Sequence, residues 1–184
     1  CFSEEIYDML NRLRKIKPVW IELGLQTIHP RTAVLIHRAY ELSEFEMAAN
    51  RLAEMDIVVV AHMILGLPGE SREDMLESAT YLGTQKVSGV KFSLLHVLRN
   101  TVLADMYERG EFATLEMDEY IDILADCISL LPREMVIHRL TGDGPKSILI
   151  APMWSANKRA VLHAITNTFA QRDICQGSNR KTEQ

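Results

Sequence analysis

The sequence has few cysteines, no long apolar run and no excess of basic charge, and each scarcity removes a class of protein. Its three cysteines, Cys1, Cys127 and Cys175, lie far apart in a chain of 184 residues. They offer neither the close pairs of a metal knuckle nor the density of a disulfide framework, and a reducing, cytoplasmic location suits them. No apolar stretch approaches the roughly 20 residues that a membrane helix needs, so no membrane partner is expected. Cys1-Phe2-Ser3-Glu4-Glu5 has no basic start and no apolar core, and does not read as a signal peptide. A net charge of −5, from 20 basic and 25 acidic residues, gives no general reason to expect nucleic acid or an anionic surface. The chain does not start with methionine, and a fragment of a longer polypeptide is the simplest expectation. What is present, 47% hydrophobic and 24% charged residues, is ordinary for a globular protein with a real core.

Residues 3–16 place Ser3 as an N-cap ahead of acids, with Ile6, Met9, Leu10 and Leu13 on one stripe. That predicts an amphipathic helix, stopped by Pro18. VWIELGL (19–25) predicts a buried strand. Pro30 to Tyr40 reads as a short helix, and Ser43 caps another through about Met55. IVVVAHMIL (57–65) is the clearest strand, Ser71 caps a helix to Leu82, and VKFSLLHV (90–97) is a further strand. Helical patterns follow near 101–109 and 116–131. Strands that are apolar throughout, alternating with helices, predict an α/β fold with a parallel sheet covered by helices. After Pro132, MVIHRL is a candidate strand, TGDGPKSILIAP reads as loop, and Ala156 to Arg172 as the last helix. The polar end from Gln176 is expected to be disordered.

In such a sheet, ligands gather at the carboxyl ends of the strands. Gln26-Thr27, His62 to Glu70, His96 to Thr101 and Gly142-Asp143-Gly144 fall there. Alternation puts Trp20, Glu22, Gly24 and Gln26 on one face of their strand. It groups Val58, Val60, His62, Ile64 and Gly66 on the next, and Lys91 with Ser93 on the third. A polar face of this kind suits a barrel interior or a ligand cavity. A buried Glu or Lys needs a partner, so Glu22 with Lys91 is one expectation; Lys91 reaching solvent is the other. GLPGES (66–71) on its own reads as a turn followed by a cap, and no Lys follows Gly69 to make it a phosphate loop. His62 on its own is more simply a satisfied core histidine. His29, His138 and His163 read as ordinary surface or helix residues.

Three segments together carry more information: ELGLQT (22–27), the His37-Arg38 pair that follows it, and ILGLPGE (64–70). With the late LTGDGP and APMWSANK segments, the chain resembles the radical S-adenosylmethionine (SAM) superfamily over nearly its whole length. It is most similar to the short Elp-like bacterial members, in the elongator-like and oxygen-independent coproporphyrinogen oxidase-like branch. The resemblance implies the C-terminal half of a parallel-stranded partial (β/α) barrel over residues 1–112. A helical extension over 113–175 and a tail over 176–184 would follow. It implies that Gln26 hydrogen-bonds the ribose of S-adenosyl-L-methionine and that Arg38 pairs with its carboxylate. His62 stands where relatives often place an Asp near the ribose. Ile64 would pack on the adenine, Gly66 would open the turn over the adenosyl group, and the backbone from Leu95 to Val97 would read the adenine edge. Glu70 would fix that turn or cap the helix.

The family's Cys-x3-Cys-x2-Cys and glycine-rich segments do not occur in these residues. The expectation is therefore the back half of an enzyme whose [4Fe–4S] cluster lies in the upstream half of the same polypeptide, its partner. The parent would cleave S-adenosylmethionine reductively, and the 5′-deoxyadenosyl radical would take hydrogen from a substrate, a tRNA nucleoside being the guess. The chain alone would be inactive. Two other readings stay open: a stand-alone α/β module that binds an adenosyl or nucleotide ligand, and a barrel fragment using His62 and Glu70 for acid–base work. A half-barrel would also leave a free sheet edge, a route to self-association.

Overall fold

The structure, a computed structural model, describes residues 2–142 and 144–180. Helix α1 (Glu4–Arg14) leads into β1 (Trp20–Gln26), two helices, α2 (Pro30–Leu35) and α3 (Leu42–Glu54), and β2 (Val58–Leu65). Then come α4 (Arg72–Leu82), β3 (Gly89–Leu94), β4 (Val97–Leu98), α5 (Val102–Glu108) and α6 (Met117–Leu130). The chain continues through β5 (Val136–Arg139), β6 (Leu149–Ala151), a 3-10 turn at Met153–Ala156, and α7 (Lys158–Gln171). Strands β1, β2, β3 and β5 pair in that order, all parallel, so the predicted α/β architecture with a parallel sheet is the one observed. No helix among the described residues is long and apolar enough to cross a membrane.

The two faces of the sheet differ as alternation requires. Leu23, Leu25, Val59, Ala61, Met63, Leu65, Val90, Phe92 and Leu94 are buried, in one core with Phe45, Leu52, Met75, Leu82, Tyr120 and Leu124 from the helices. Val161 and Ile165 of α7 belong to the same core. The opposite face, with Glu22, His62, Ile64, Lys91 and Ser93, is only partly covered.

Several boundaries differ from the sequence reading. Helix α2 ends at Leu35 instead of near Tyr40, because His37 turns into the left-handed region (φ 54°). The His37 N–H then donates to Val34 O and the Arg38 N–H to Ala33 O, at 3.1 and 2.8 Å. This pattern caps the last carbonyls of a helix and reverses the chain, which sends Arg38 back toward β1. Ser3 occupies the N-cap of α1, but its hydroxyl donates to Glu5 instead of capping the helix backbone. Glu41, not Ser43, precedes α3. Ser71 does cap α4, in a reciprocal box with Asp74. The stretch 90–97 breaks at Leu95-His96, and Val97-Leu98 leaves the main sheet to pair antiparallel with β6, inside the segment read as loop.

Residues 176–180, expected to lie in a disordered tail, are held by hydrogen bonds to the end of α6 and the loop after it. The Gln176 side chain donates to Pro132 O and Met135 O at 2.5 and 2.7 Å, and the N–H groups of Gly177 and Asn179 donate to Ile128 O and Ser129 O. The last carbonyls of a helix lack intrahelical donors, and the polar segment after α7 supplies donors to two of those of α6, Ile128 O and Ser129 O. Residues 181–184 of the expected tail, and Asp143 of the glycine loop, lie outside the described residues.

Candidate functional site

On the partly covered face, three adjacent strands bring three ionisable side chains together. Register places Gly24, His62 and Lys91 level with one another. Glu22, two residues earlier on β1, takes the Lys91 ammonium on Oε1 and His62 Nε2 on Oε2, the latter at 2.6 Å. The expected Glu22–Lys91 pair is thus formed, and His62 joins it. With Glu22 about half exposed, solvent screens the attraction. Lys91 first, then His62, still hold the Glu22 carboxyl below its ordinary 4.5. A lowered folded-state value contributes stability that is present above the unfolded value and lost as pH falls through the folded one. Urea unfolding from about pH 6 down to about pH 3 is expected to show a shallower acid loss in Glu22→Gln than in the wild type; parallel curves would refute the pairing.

Below this cluster, Trp20 of β1 and His138 of β5 meet edge to face, 5.3 Å between ring centres. These are the two outer strands of the sheet. With strands about 4.8 Å apart, their side chains meet only if the sheet curls toward this face. Gly89 makes room for the contact, since a Cβ there would stand 2.6 Å from His138 Nε2. Sequence patterning had left His138 without a role.

At the carboxyl end of β1, Gln26 adopts φ 60°, beside an irregularity in the pairing with β2. Its amide lies over Gly24, where an added Cβ would come within 2.7 Å of Nε2. Oε1 is buried and has no hydrogen-bond partner among the described residues. Arg38 reaches the same place: Nη1 donates to Leu25 O (2.9 Å) and Thr27 O (2.7 Å), and Nε donates to Tyr40 O (3.0 Å). The Tyr40 ring lies against the guanidinium, 5.4 Å from Cζ to the ring centre, and the Tyr40 hydroxyl donates to Gly24 O. Among the described residues Nη2 is the edge of Arg38 left to serve a ligand, so a carboxylate would be met from one side instead of by the whole fork.

Strand β2 runs into a turn in which Glu70 N–H donates to Leu67 O, with Pro68 second and Gly69 third at φ 79°. This is the type II pattern, which needs a glycine at the third position. Gly66, at φ 83°, directs its N–H to Met75 Sδ. The Glu70 carboxylate accepts the Thr27 hydroxyl at 2.5 Å, and burial pushes its carboxyl above the ordinary value. Arg31 Nη2 donates to Gly69 O and Asp74 Oδ2, and His29 Nε2 contacts Asp74 O, so the loops after β1 and β2 are tied together. His62 and Glu70, read as a candidate acid–base pair, each engage a different partner, Glu22 and Thr27.

Ile64 is half-buried on the partly covered face, level with Ser93. The Leu95 N–H is taken by Leu65 O, and Val97 is buried and paired with Ala151. The glycines of 142–144 close over His96: a Cβ on Gly144 would meet its ring at 2.9 Å. Trp154 donates to Leu115 O and packs on Tyr120, a structural role. His29, Asp74 and Glu77 bring one ligand atom each within 4.8 Å of one another, but Asp74 is already shared by Arg31 and the α4 cap.

Among the described residues, the two cysteines do not fit an iron–sulfur cluster. Cys127 is buried inside α6, where burial pushes its thiol up to about 12, and Cys175 is exposed elsewhere. A buried amide oxygen without a partner among the described residues, beside a partly covered strand face that carries Ile64, does fit the hydroxyl-bearing adenosyl part of S-adenosylmethionine.

The chain is similar to several known proteins. YtqA of Bacillus subtilis, an uncharacterized protein, is 41% identical over 177 residues, which are 96% of this chain and 55% of YtqA. A tRNA uridine(34) acetyltransferase of Methanocaldococcus infernus is 26% identical over 160 residues, 85% of this chain and 29% of that protein. The chain thus spans about half the length of the first relative and less of the second. Among solved structures, the archaeal Methanocaldococcus infernus Elp3 with an N-terminal deletion matches with a TM-score of 0.79 at 20% identity, covering 95% of this chain and 40% of that one. That likeness concerns the fold. The family profile described as the radical SAM superfamily matches residues 2–82 and that of the radical SAM C-terminal domain matches 87–171; in tandem they account for nearly every element above, and the chain belongs to the radical SAM superfamily.

Proposed function

We propose that these residues form the S-adenosylmethionine cradle of a radical SAM enzyme whose cluster-binding cysteines are supplied by polypeptide outside them. The observation that carries this reading is the buried Gln26 Oε1, without a partner at the carboxyl end of β1. Leaving such an acceptor unpaired costs about 1–3 kcal/mol, and a ribose hydroxyl would satisfy it. Ile64 offers the adenine an apolar surface, Arg38 presents Nη2 to the carboxylate, and His62 is held in place by Glu22. Gly66 lets the chain turn closely over the ligand. When bound, S-adenosylmethionine supplies, through reductive cleavage at a [4Fe–4S] cluster, a one-electron route to hydrogen abstraction from a substrate. A modified tRNA nucleoside is the substrate class favoured by the acetyltransferase relative, with action in the cytoplasm. The polypeptide that completes the enzyme would add its strands at the β1 edge.

Titration of this chain with S-adenosyl-L-methionine in a calorimeter tests the cradle. The wild type is expected to bind, and Gln26→Leu, which keeps bulk but removes the acceptor, is expected to bind about tenfold more weakly. No binding by the wild type, or equal binding by both, would remove the cofactor reading.

A further inference from the structure

We infer that Glu70 is a positioning residue for Gln26, acting through the Thr27 hydroxyl, and that Arg38 closes the same clamp from the other side. The inference deepens the proposed cradle, and rests on it only where ligand affinity is the readout.

The starting point is the backbone at Gln26. A side-chain-bearing residue in the left-handed region costs on the order of 1–2 kcal/mol and persists only where its surroundings over-determine it. His37, Asp56, Asn100 and Asp173 share this conformation; His37, Asp56 and Asp173 each follow a helix, where they cap the last turn, and Asn100 lies in the turn between β4 and α5, an asparagine in a position that tolerates positive φ. Gln26 ends a strand. The Thr27 N–H donates to Leu25 O at 2.8 Å, so Gln26 is the central residue of a three-residue turn with positive φ, the rare and strained kind. Helix capping does not explain it.

What holds it is visible on both sides. Arg38 Nη1 takes the carbonyls of Leu25 and Thr27, bracketing Gln26. Thr27, fully buried, spends its hydroxyl proton on Glu70 Oε1 while its oxygen accepts the His29 N–H at 3.1 Å. Glu70 itself is fixed by the turn that begins at Leu67, and that turn is anchored by Arg31 on Gly69 O. The geometry of the β2 turn is thereby transmitted to the residue that ends β1. Its product is the placement of the Gln26 amide, flat over Gly24 with Oε1 buried. Glu70 needs no contact with ligand for this, and the acid of the GLPGE segment acquires a role that neither a turn nor a cap requires.

The test uses the full chain and four variants: Thr27→Val, Glu70→Ala, their double variant, and Glu70→Gln, with Thr27→Ser as the hydroxyl-retaining control. Two readouts are taken, affinity for S-adenosyl-L-methionine and the NMR backbone shifts and couplings that report the conformation of Gln26. Thr27→Val and Glu70→Ala are each expected to abolish the left-handed signature and weaken binding about tenfold, with no further loss in the double variant. Glu70→Gln and Thr27→Ser are expected to retain the signature and to bind within about threefold of the wild type. Retention of the signature in Glu70→Ala, or losses that add in the double variant, would overturn the clamp. If the wild type binds no ligand, the cofactor reading fails, and the NMR signature alone decides the clamp.

Discussion

Arg38→Ala is expected to melt about 6–12 °C below the wild type, a loss larger than a surface arginine warrants. Its guanidinium donates to three carbonyl oxygens, those of Leu25, Thr27 and Tyr40, all at 3.0 Å or less. Hydrogen bonds from charged donors are worth about 1.5–3 kcal/mol each when removed singly. Because one solvent-touching group makes all three, a combined loss of about 3 kcal/mol is the sensible figure, and a chain of this size shifts about 2–4 °C per kcal/mol. Arg38→Lys is expected to recover less than half, since a single ammonium cannot bracket two carbonyls and reach a third. A drop under about 3 °C in Arg38→Ala, measured by thermal unfolding at constant pH, would show that the clamp carries little of the loop's stability.

Gly66→Ala and Gly69→Ala should separate backbone strain from packing in the GLPGE turn. Both glycines have positive φ, 83° and 79°, so each alanine incurs a backbone cost of about 1–2 kcal/mol. A Cβ at Gly69 meets nothing within 4 Å, so that variant should lose only the backbone part, roughly 2–8 °C. At Gly66 the new Cβ stands 3.0 Å from Leu115 Cδ1 and 3.1 Å from Cγ. Overpacking of that kind adds about 1–3 kcal/mol, for a total shift of roughly 4–20 °C. Equal losses in the two variants would mean that Leu115 yields freely and that the turn is not braced by the segment ahead of α6. Gly66→Ala combined with Leu115→Ala is then the control, because removing the obstacle should bring the loss back toward that of Gly69→Ala.

The site was legible in parts. Alternation along three strands placed Glu22, His62 and Lys91 on one face, and parallel pairing brought them into contact. Gln26 was singled out at the right strand end, although its strained turn left no mark in the sequence. Arg38 was assigned to a ligand carboxylate as a full fork; in the structure two of its three nitrogens serve the backbone. Glu70 was read as a turn residue because its partner, Thr27, lies 43 positions away, and no local pattern encodes that distance. His138 was passed over for the same reason: only curvature of the sheet brings it to Trp20.

By itself the sequence determined the order of the main-sheet strands and the larger helices, the parallel α/β class, the sidedness of the sheet and the Ser71 cap. These follow from periodicity and from interactions that span a few residues, which any short window of the chain contains. Tertiary structure decided where α2 stops, why the 90–97 run leaves the sheet, how 176–180 covers the end of α6, and what Arg38 and Glu70 hold. Each of those outcomes turns on a hydrogen-bond donor or acceptor left over by one element and met by another far along the chain, and such a match exists only once the sheet register has brought the two together.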